Sequence, residues 1–308
     1  MKKFLIHLFI YCFIILVIDN LSGWTLDYFY FHAQSGSNKE FIDLCMNDEH
    51  DVIILGSSRA HHHYVPDVLQ DSLGMDCYNA GYDGNGILLH YNIYKWITNR
   101  YKPKLIIYDV EPAFDILKYK NDNNCTRYLK MQRPLYRTPE VTKLFQDVSN
   151  IERYKCHSGL FRYNSSGFTI IREYFQKRSV VKKNGYVPLY GKINEDFEIG
   201  NDGNNYLFEP LKLSYLKKML EDASMNNIPL VVIISPKYGA TNNTVFNELY
   251  EYCKEFDIKV FDYYTAPEFS THKEYFKEPM HLNDEGAHLF SQTIISELRA
   301  FLTLKREL

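Results

Sequence analysis

Short apolar runs separated by amphipathic stretches set the strongest limit on what this chain can fold into. Residues 52–55 (Val-Ile-Ile-Leu) form an unbroken apolar run closed by Gly56. Residues 105–108 and 228–235 repeat the theme, and 76–79 and 258–262 are mixed polar and apolar versions of it. Each run is short for a helix, and the most apolar ones suit a strand buried on both faces. Between them, apolar residues recur at helical spacing. Residues 65–73 form one such stretch, and Leu89, Ile93, Trp96 and Ile97 mark a second. Leu213, Leu216, Leu220 and Ala223 follow Pro210, itself a good first helical residue, and Phe246, Leu249, Cys253 and Phe256 come next. Ala287, Phe290, Ile294, Leu298 and Phe301 close the series. Strands alternating with helices give a parallel sheet with crossover helices. The expected fold class is therefore α/β: a three-layer α/β/α domain around a five-stranded parallel sheet, spanning 51–308, with no internal repeat.

The first strand runs into Gly56-Ser57-Ser58-Arg59, so two hydroxyls fall at a strand-to-helix turn on the carboxyl edge of the sheet. Ligands bind at that edge in open α/β sheets. Backbone N–H groups at the start of the following helix favour an anion or oxyanion there. The plain alternative is a turn in which serine only caps the helix. Near the C-terminus stands Glu278-Pro-Met-His281-Leu-Asn283-Asp-Glu-Gly286. A carboxylate three residues before a histidine, ahead of an amphipathic helix, has the makings of a base and its orienting acid.

Taken together, these blocks resemble the SGNH, or GDSL-type, hydrolase family. Its first block, an apolar strand followed by Gly-Asp-Ser, matches Gly56-Ser57-Ser58. Its last, Asp-x-x-His followed by Leu-Asn-x-x-Gly, matches Glu278 to Gly286, with Glu in place of Asp. Its second block, Asn-x-Gly-x-x-Gly, matches Asn79-Ala-Gly81-Tyr-Asp-Gly84. The third, Gly-x-Asn-Asp, is not matched: Tyr108-Asp109-Val-Glu111 runs through its place, and an ionised Glu has no hydrogen to donate. The resemblance covers residue 50 onwards apart from a central stretch. It implies a flavodoxin-like sheet, Ser58 as nucleophile, His281 as base and Glu278 as the acid that orients it. It further implies the Ser58 and Gly84 backbone N–H groups as oxyanion donors, and Asn79 as a substrate-side residue. The implied activity is ester hydrolysis or O-acyl transfer through an acyl-serine. The implied substrate is acylated cell-surface carbohydrate, and neither cofactor nor metal is called for. A non-catalytic, glycan-binding relative would show the same blocks, and a phosphate-handling protein would use Gly56-Ser-Ser-Arg59 as an anion cradle. Arg59 is open to two readings: binding a substrate carboxylate or phosphate, or pairing with Asp109 or Glu111.

The N-terminus carries its own signal. Lys2 and Lys3 precede an apolar run from Phe4 to Ile18 broken only by His7. The run is slightly short for a spanning helix, which needs about 20 residues, and no Ala-x-Ala cleavage site follows. This favours an uncleaved anchor over a cleaved signal. Residues 1–22 then form the membrane segment of a bacterial inner-membrane protein, and 23–50 a stalk with one or two helical turns. The rest lies in the periplasm, because the lysines stay inside. Between 118 and 208 the regular pattern fades. A structureless loop of that length is out of keeping with a compact domain, so a helical insertion near the active edge is expected.

Composition excludes little else. The net charge is −3 and the 35 basic residues form no long cluster, which argues against a nucleic-acid partner. The 26 Tyr and 20 Phe accompany abundant Asn, Lys and Ile, as a biased composition would give. Six cysteines at irregular spacing form no Cys-x-x-Cys motif; Cys77 and Cys253 read as packed thiols. His61-His62-His63 invites a metal reading, but neighbouring side chains point apart, so the three are not expected to converge on one ion. One of them is expected beside Ser58.

Overall fold

The computed structural model describes residues 1–118, 125–176, 184–194 and 206–306. They fall into two compact units. One comprises Met1–Asn47 and Asn124–Val180, the other Asp48–Asn123 and Val181–Leu308.

The second unit is the expected α/β domain. Five strands, β1 (Val52–Gly56), β2 (Cys77–Gly81), β3 (Leu105–Asp109), β4 (Leu230–Ile234) and β5 (Lys259–Asp262), form one parallel sheet in the order β2-β1-β3-β4-β5. The order turns back between β1 and β3, which makes the carboxyl end of β1 the switch point of the sheet. Register aligns the edge there: Gly56 lies opposite Gly81 on one side and Asp109 on the other.

All residues of β1, β3 and β4 are buried because helices cover both faces. On one face Val52, Ile54, Ile107 and Ile233 pack with Leu69, Phe290, Ile294 and Leu298. The alternate strand residues face the layer that contains helices Ile87–Thr98 and Pro210–Met225. A small antiparallel pair, β6 (Phe276–Glu278) and β7 (His281–Leu282), precedes helix Asp284–Thr293, whose cap is Asn283: its side chain accepts from the Gly286 amide.

The first unit departs from the expected boundaries. One unbroken helix, Lys2–Phe31, replaces the anchor of 1–22 and the start of the stalk. It is the one helix among the described residues long and apolar enough to cross a membrane. The central stretch is helical as expected, but it is divided. Helices Pro139–Val148, Asn150–Lys155, Gly159–Arg162 and Gly167–Phe175 belong to the same unit as the N-terminal helix. Buried polar pairs, such as Glu173 with Ser37 and Asn38, hold that unit together and are invisible as periodicity. Residues 184–194 belong instead to the α/β unit, where the Asn184 carbonyl accepts from Asn79 N–H at 2.8 Å. The base of the excursion is closed by a bridge between Leu117 and Phe208. The Asn-rich runs at 121–124 and 201–205 lie outside the described residues.

Candidate active site

Gly56 leaves β1 with φ +144°, and a Cβ there would come within 2.6 Å of the Asp109 carbonyl oxygen, so the turn tolerates glycine alone. The chain then enters the short helix Ser58–His63 with Ser58 as its first residue. Ser58 is 8% exposed. Its Oγ lies 2.7 Å from His281 Nε2. The opposite ring nitrogen, Nδ1, is hydrogen-bonded to the Glu278 carboxylate. A carboxylate only accepts, so Nδ1 carries the hydrogen and Nε2 is left to accept from the serine hydroxyl. The β6–β7 hairpin makes this arrangement possible: Glu278 and His281 are cross-strand partners. The second Glu278 oxygen accepts from Met280 N–H at 3.2 Å. Partial burial raises the Glu278 carboxyl, but the His281 hydrogen bond and charge outweigh it, leaving it below its ordinary value.

Ser57 has a different environment. Its hydroxyl is bound to Glu111, which is 4% exposed. Burial pushes the Glu111 carboxyl up despite the neighbouring Arg59 charge and the Ser57 hydroxyl. Glu111 N–H in turn donates to Asp115, which also accepts from Tyr108 O–H and Ile87 N–H. The residues standing in for the unmatched third block therefore form a buried polar cushion beneath the turn.

A second network joins the Ser58–His63 helix to the His281 hairpin. Leu282 N–H donates to His63 Nε2 at 3.0 Å, which leaves His63 Nδ1–H to donate to Ser235 Oγ at 2.9 Å. Ser235 O–H donates to Asp109 Oδ2 at 2.9 Å and its oxygen also accepts from Arg59 Nε at 3.1 Å. Burial, with Arg59 close by, holds His63 neutral by lowering its pKa well below the ordinary value. Ser235 was not legible as a site residue. Its only trace in sequence is a hydroxyl ending a strongly apolar strand at the edge already marked by Gly56.

Two expected roles change. Asn79 is 2% exposed and spends its amide hydrogens on the Ala60 and Tyr64 carbonyls, while its oxygen accepts from Gly81 N–H. It braces the Ser58–His63 helix and has no amide hydrogen left for a substrate. Arg59 is fully buried: its Nε donates to Ser235 Oγ and its guanidinium lies over Tyr264 at 5.4 Å, while its two terminal nitrogens have no hydrogen-bond partner and it forms no ion pair with Asp109 or Glu111 among the described residues. Gly84, φ +69°, occupies the turn after β2 in which Asn85 N–H bonds the Tyr82 carbonyl.

The histidine run behaves partly against expectation. His63 turns inward, but His61 Nδ1 and His62 Nε2 both reach Asp83 Oδ1, at 2.8 and 3.3 Å. The two rings, neighbours on one helix, meet here at the carboxylate of Asp83 in the turn after β2. His62 Nδ1 lies 2.7 Å from the Val187 carbonyl, so with a carboxylate at its other nitrogen both ring nitrogens face acceptors, an arrangement that favours the protonated ring and its positive charge. Burial opposes that charge, but the Asp83 hydrogen bond and Val187 raise the His62 pKa overall. Both His62 and His63 stand edge-on to His281, with ring centroids 5.6 and 6.1 Å away. A depression of about 250 Å³ beside Glu278 is lined by Lys192, Ile193, Lys277 and Pro279. A larger cavity, about 700 Å³ and bordered by Cys253, Lys259 and Phe301, contains none of these groups. Among the described residues no disulfide forms, and Cys77 and Cys253 are buried thiols.

No family model matches this chain, and no curated protein matches it. Among solved structures, a G-D-S-L family protein from Desulfitobacterium hafniense DCB-2 superposes with a TM-score of 0.40 and 13% identity, covering 80% of this chain and 98% of that one. A likeness of that size carries nothing about chemistry.

Proposed function

We propose that this chain is a serine hydrolase or O-acyltransferase of the SGNH type. The observation that carries the reading is the hydrogen-bonded series Ser58 Oγ, His281 Nε2, His281 Nδ1, Glu278. A serine hydroxyl is a weak nucleophile near neutral pH and needs a base in hydrogen-bond reach. His281 takes the Ser58 proton as the hydroxyl oxygen attacks an acyl carbonyl. Glu278 holds the ring tautomer and stabilises the imidazolium that forms. The proposed oxyanion donors are the backbone N–H groups of Ser58 and Gly84, each worth about 3 kcal/mol of barrier. Collapse of the tetrahedral intermediate expels the alcohol, which receives the proton from His281, and leaves an acyl-serine. Water then completes hydrolysis, or a sugar hydroxyl completes transfer.

Ser57 is an unsuitable nucleophile because its hydroxyl is engaged by Glu111. The 2.7 Å approach of Ser58 and His281 also favours an enzyme over a glycan-binding module, which would have no need of it. The proposed substrates are acylated carbohydrates of the cell surface. The N-terminal helix would anchor the chain in the inner membrane with the α/β unit in the periplasm. The test is turnover of a small activated ester by wild type, Ser58→Ala and His281→Ala. Comparable losses in both variants support the reading, and full activity in either removes it.

A further inference from the structure

We propose that the unit built on the N-terminal helix seats an apolar collar in the membrane interface, so that lipid contacts its packed helices and not the anchor alone. This rests on the reading that the Lys2–Phe31 helix spans a bilayer. The first observation is a shortfall in length. The apolar run from Phe4 to Ile18 covers only about 22 Å along a helix, against about 30 Å of hydrocarbon. The missing turns carry the span to Leu21 and Trp24. Residues 3–18 are all exposed, and burial begins abruptly at Asp19 and Gly23. Protein packing therefore starts inside the thickness that the bilayer must cover.

The second observation is how polar groups in those turns are treated. Asp19 accepts from Ser158 Oγ at 2.9 Å, Gly159 N–H at 3.2 Å and Leu160 N–H at 2.8 Å. Asn20 donates to the Leu16 carbonyl and Thr25 to the Leu21 carbonyl. Each polar side chain at 19, 20 and 25 is thus bonded within the protein, which is what a lipid-facing position demands. The helices meet at two glycines: a Cβ on Gly159 would lie 2.3 Å from Gly23 Cα. Small residues at a close crossing of this kind suit helix packing in lipid.

The third observation is the outer surface. Helix Gly167–Phe175 leaves Phe168, Ile171 and Phe175 exposed at 81, 41 and 68%, spaced i, i+3 and i+7 on one face. Its two ends meet the N-terminal helix at nearly one level. Gly167 lies beside Leu26, and Tyr174 stacks on Phe29 at 4.4 Å. The short helix therefore crosses the spanning helix within about a turn of Trp24. Leu160, 55% exposed, stands beside Asp19 one level deeper. Aromatic side chains at headgroup depth are the usual interfacial anchors. A bilayer, continuous with the one around residues 4–18, is the occupant that fits this face.

The experiment uses the full chain in anionic phospholipid vesicles, in a Cys12→Ser background, with an environment-sensitive fluorophore on Ile10→Cys, Leu160→Cys or Phe168→Cys. The expected result is loss of emission at 168 with headgroup-attached nitroxide lipids, at 160 with shallow acyl-chain nitroxides and at 10 with deep acyl-chain nitroxides, and weak quenching of all three by aqueous iodide. Quenching at 168 by iodide and not by lipid nitroxides, with position 10 still lipid-quenched, overturns the collar and leaves the span intact. Protection of 168 from both quenchers means that protein covers the face, which also overturns it. Absence of lipid quenching at 10 removes the span and the collar together.

Discussion

Two groups of carboxylates flank the Gly56-Ser57-Ser58 turn, and they are built in opposite ways. Glu278 sits on a two-strand hairpin, half-exposed, with its pKa lowered by His281. Asp109, Glu111 and Asp115 lie at the buried edge of β3, and burial raises all three, Asp109 to about 6 and Asp115 to about 7. The first arrangement keeps a negative charge ready beside an imidazole. The second tolerates protons and fixes the backbone that presents the serines. Acids of one sign thus do two jobs around one turn, and solvent access with the neighbouring donor decides which.

The sharpest way to break this contrast is to exchange the two serines. Ser58→Ala should reduce turnover by about a thousandfold or more, since members of the proposed triad would act as a unit. Ser57→Ala should leave turnover within reach of wild type, because it removes only a partner of Glu111. Steady-state rates on one activated ester compare them. Equal losses in both variants would erase the distinction between the two sides of the turn.

Next in size is the acid. Glu278→Gln should cost on the order of a hundredfold to ten-thousandfold in kcat, because the amide permits the wrong ring tautomer. Glu278→Asp should keep much of the activity if the hairpin can bring the shorter arm to His281. Asp115→Asn should instead leave kcat little changed and act on stability.

The pH dependence of stability separates the two groups further. The folded pKa values of Asp109 and Asp115 lie above their unfolded value near 3.8, so the folded unit binds more protons. Their contribution is complete below that value and is lost as pH rises through the folded values of about 6 and about 7. Glu278 has the opposite sign: its contribution is present above its unfolded value near 4.5 and is lost as pH falls through the lower folded one. Melting followed by fluorescence should show a wild-type midpoint that falls relative to that of Asp115→Asn as pH is raised from about 5 to about 8. A wild-type midpoint that rises relative to the variant over that range would contradict the assignment.

The smallest effect is expected at Asp83→Asn, which removes the carboxylate that favours a charged His62 beside His281. About tenfold or less in kcat/KM is expected, equivalent to ~1.4 kcal/mol. The pH profile should shift as His62 loses its charge.

Much of the α/β unit was legible because its signals are local and periodic. Apolar quartets marked β1 and β3, and the Gly56 and Glu278–His281 blocks marked the ends that meet. The unmatched third block also carried real information, since Glu111 proved to bind Ser57 and offers no neutral amide donor. What escaped the sequence depends on long-range hydrogen bonds. Asn79 looked like a cleft residue because its block is shared with one, yet its amide is consumed 15 and 19 residues away. Ser235, His63 and Arg59 form a network across more than 170 positions, beyond the reach of any local pattern. The grouping of the helices between Pro139 and Phe175 with the N-terminal helix was hidden for the same reason: it rests on bonds that join Asp19, Asp27 and Asn38 to partners 139, 135 and 135 positions away.

The most direct measurement is mass mapping of the adduct formed by a fluorophosphonate probe on the full chain. A serine activated by His281 should add one phosphonyl group, carried by Ser58, and His281→Ala should abolish the addition. An adduct on Ser57, or on the wild type and His281→Ala alike, would contradict an activated Ser58, as would a wild-type chain that turns over esters without ever being labelled.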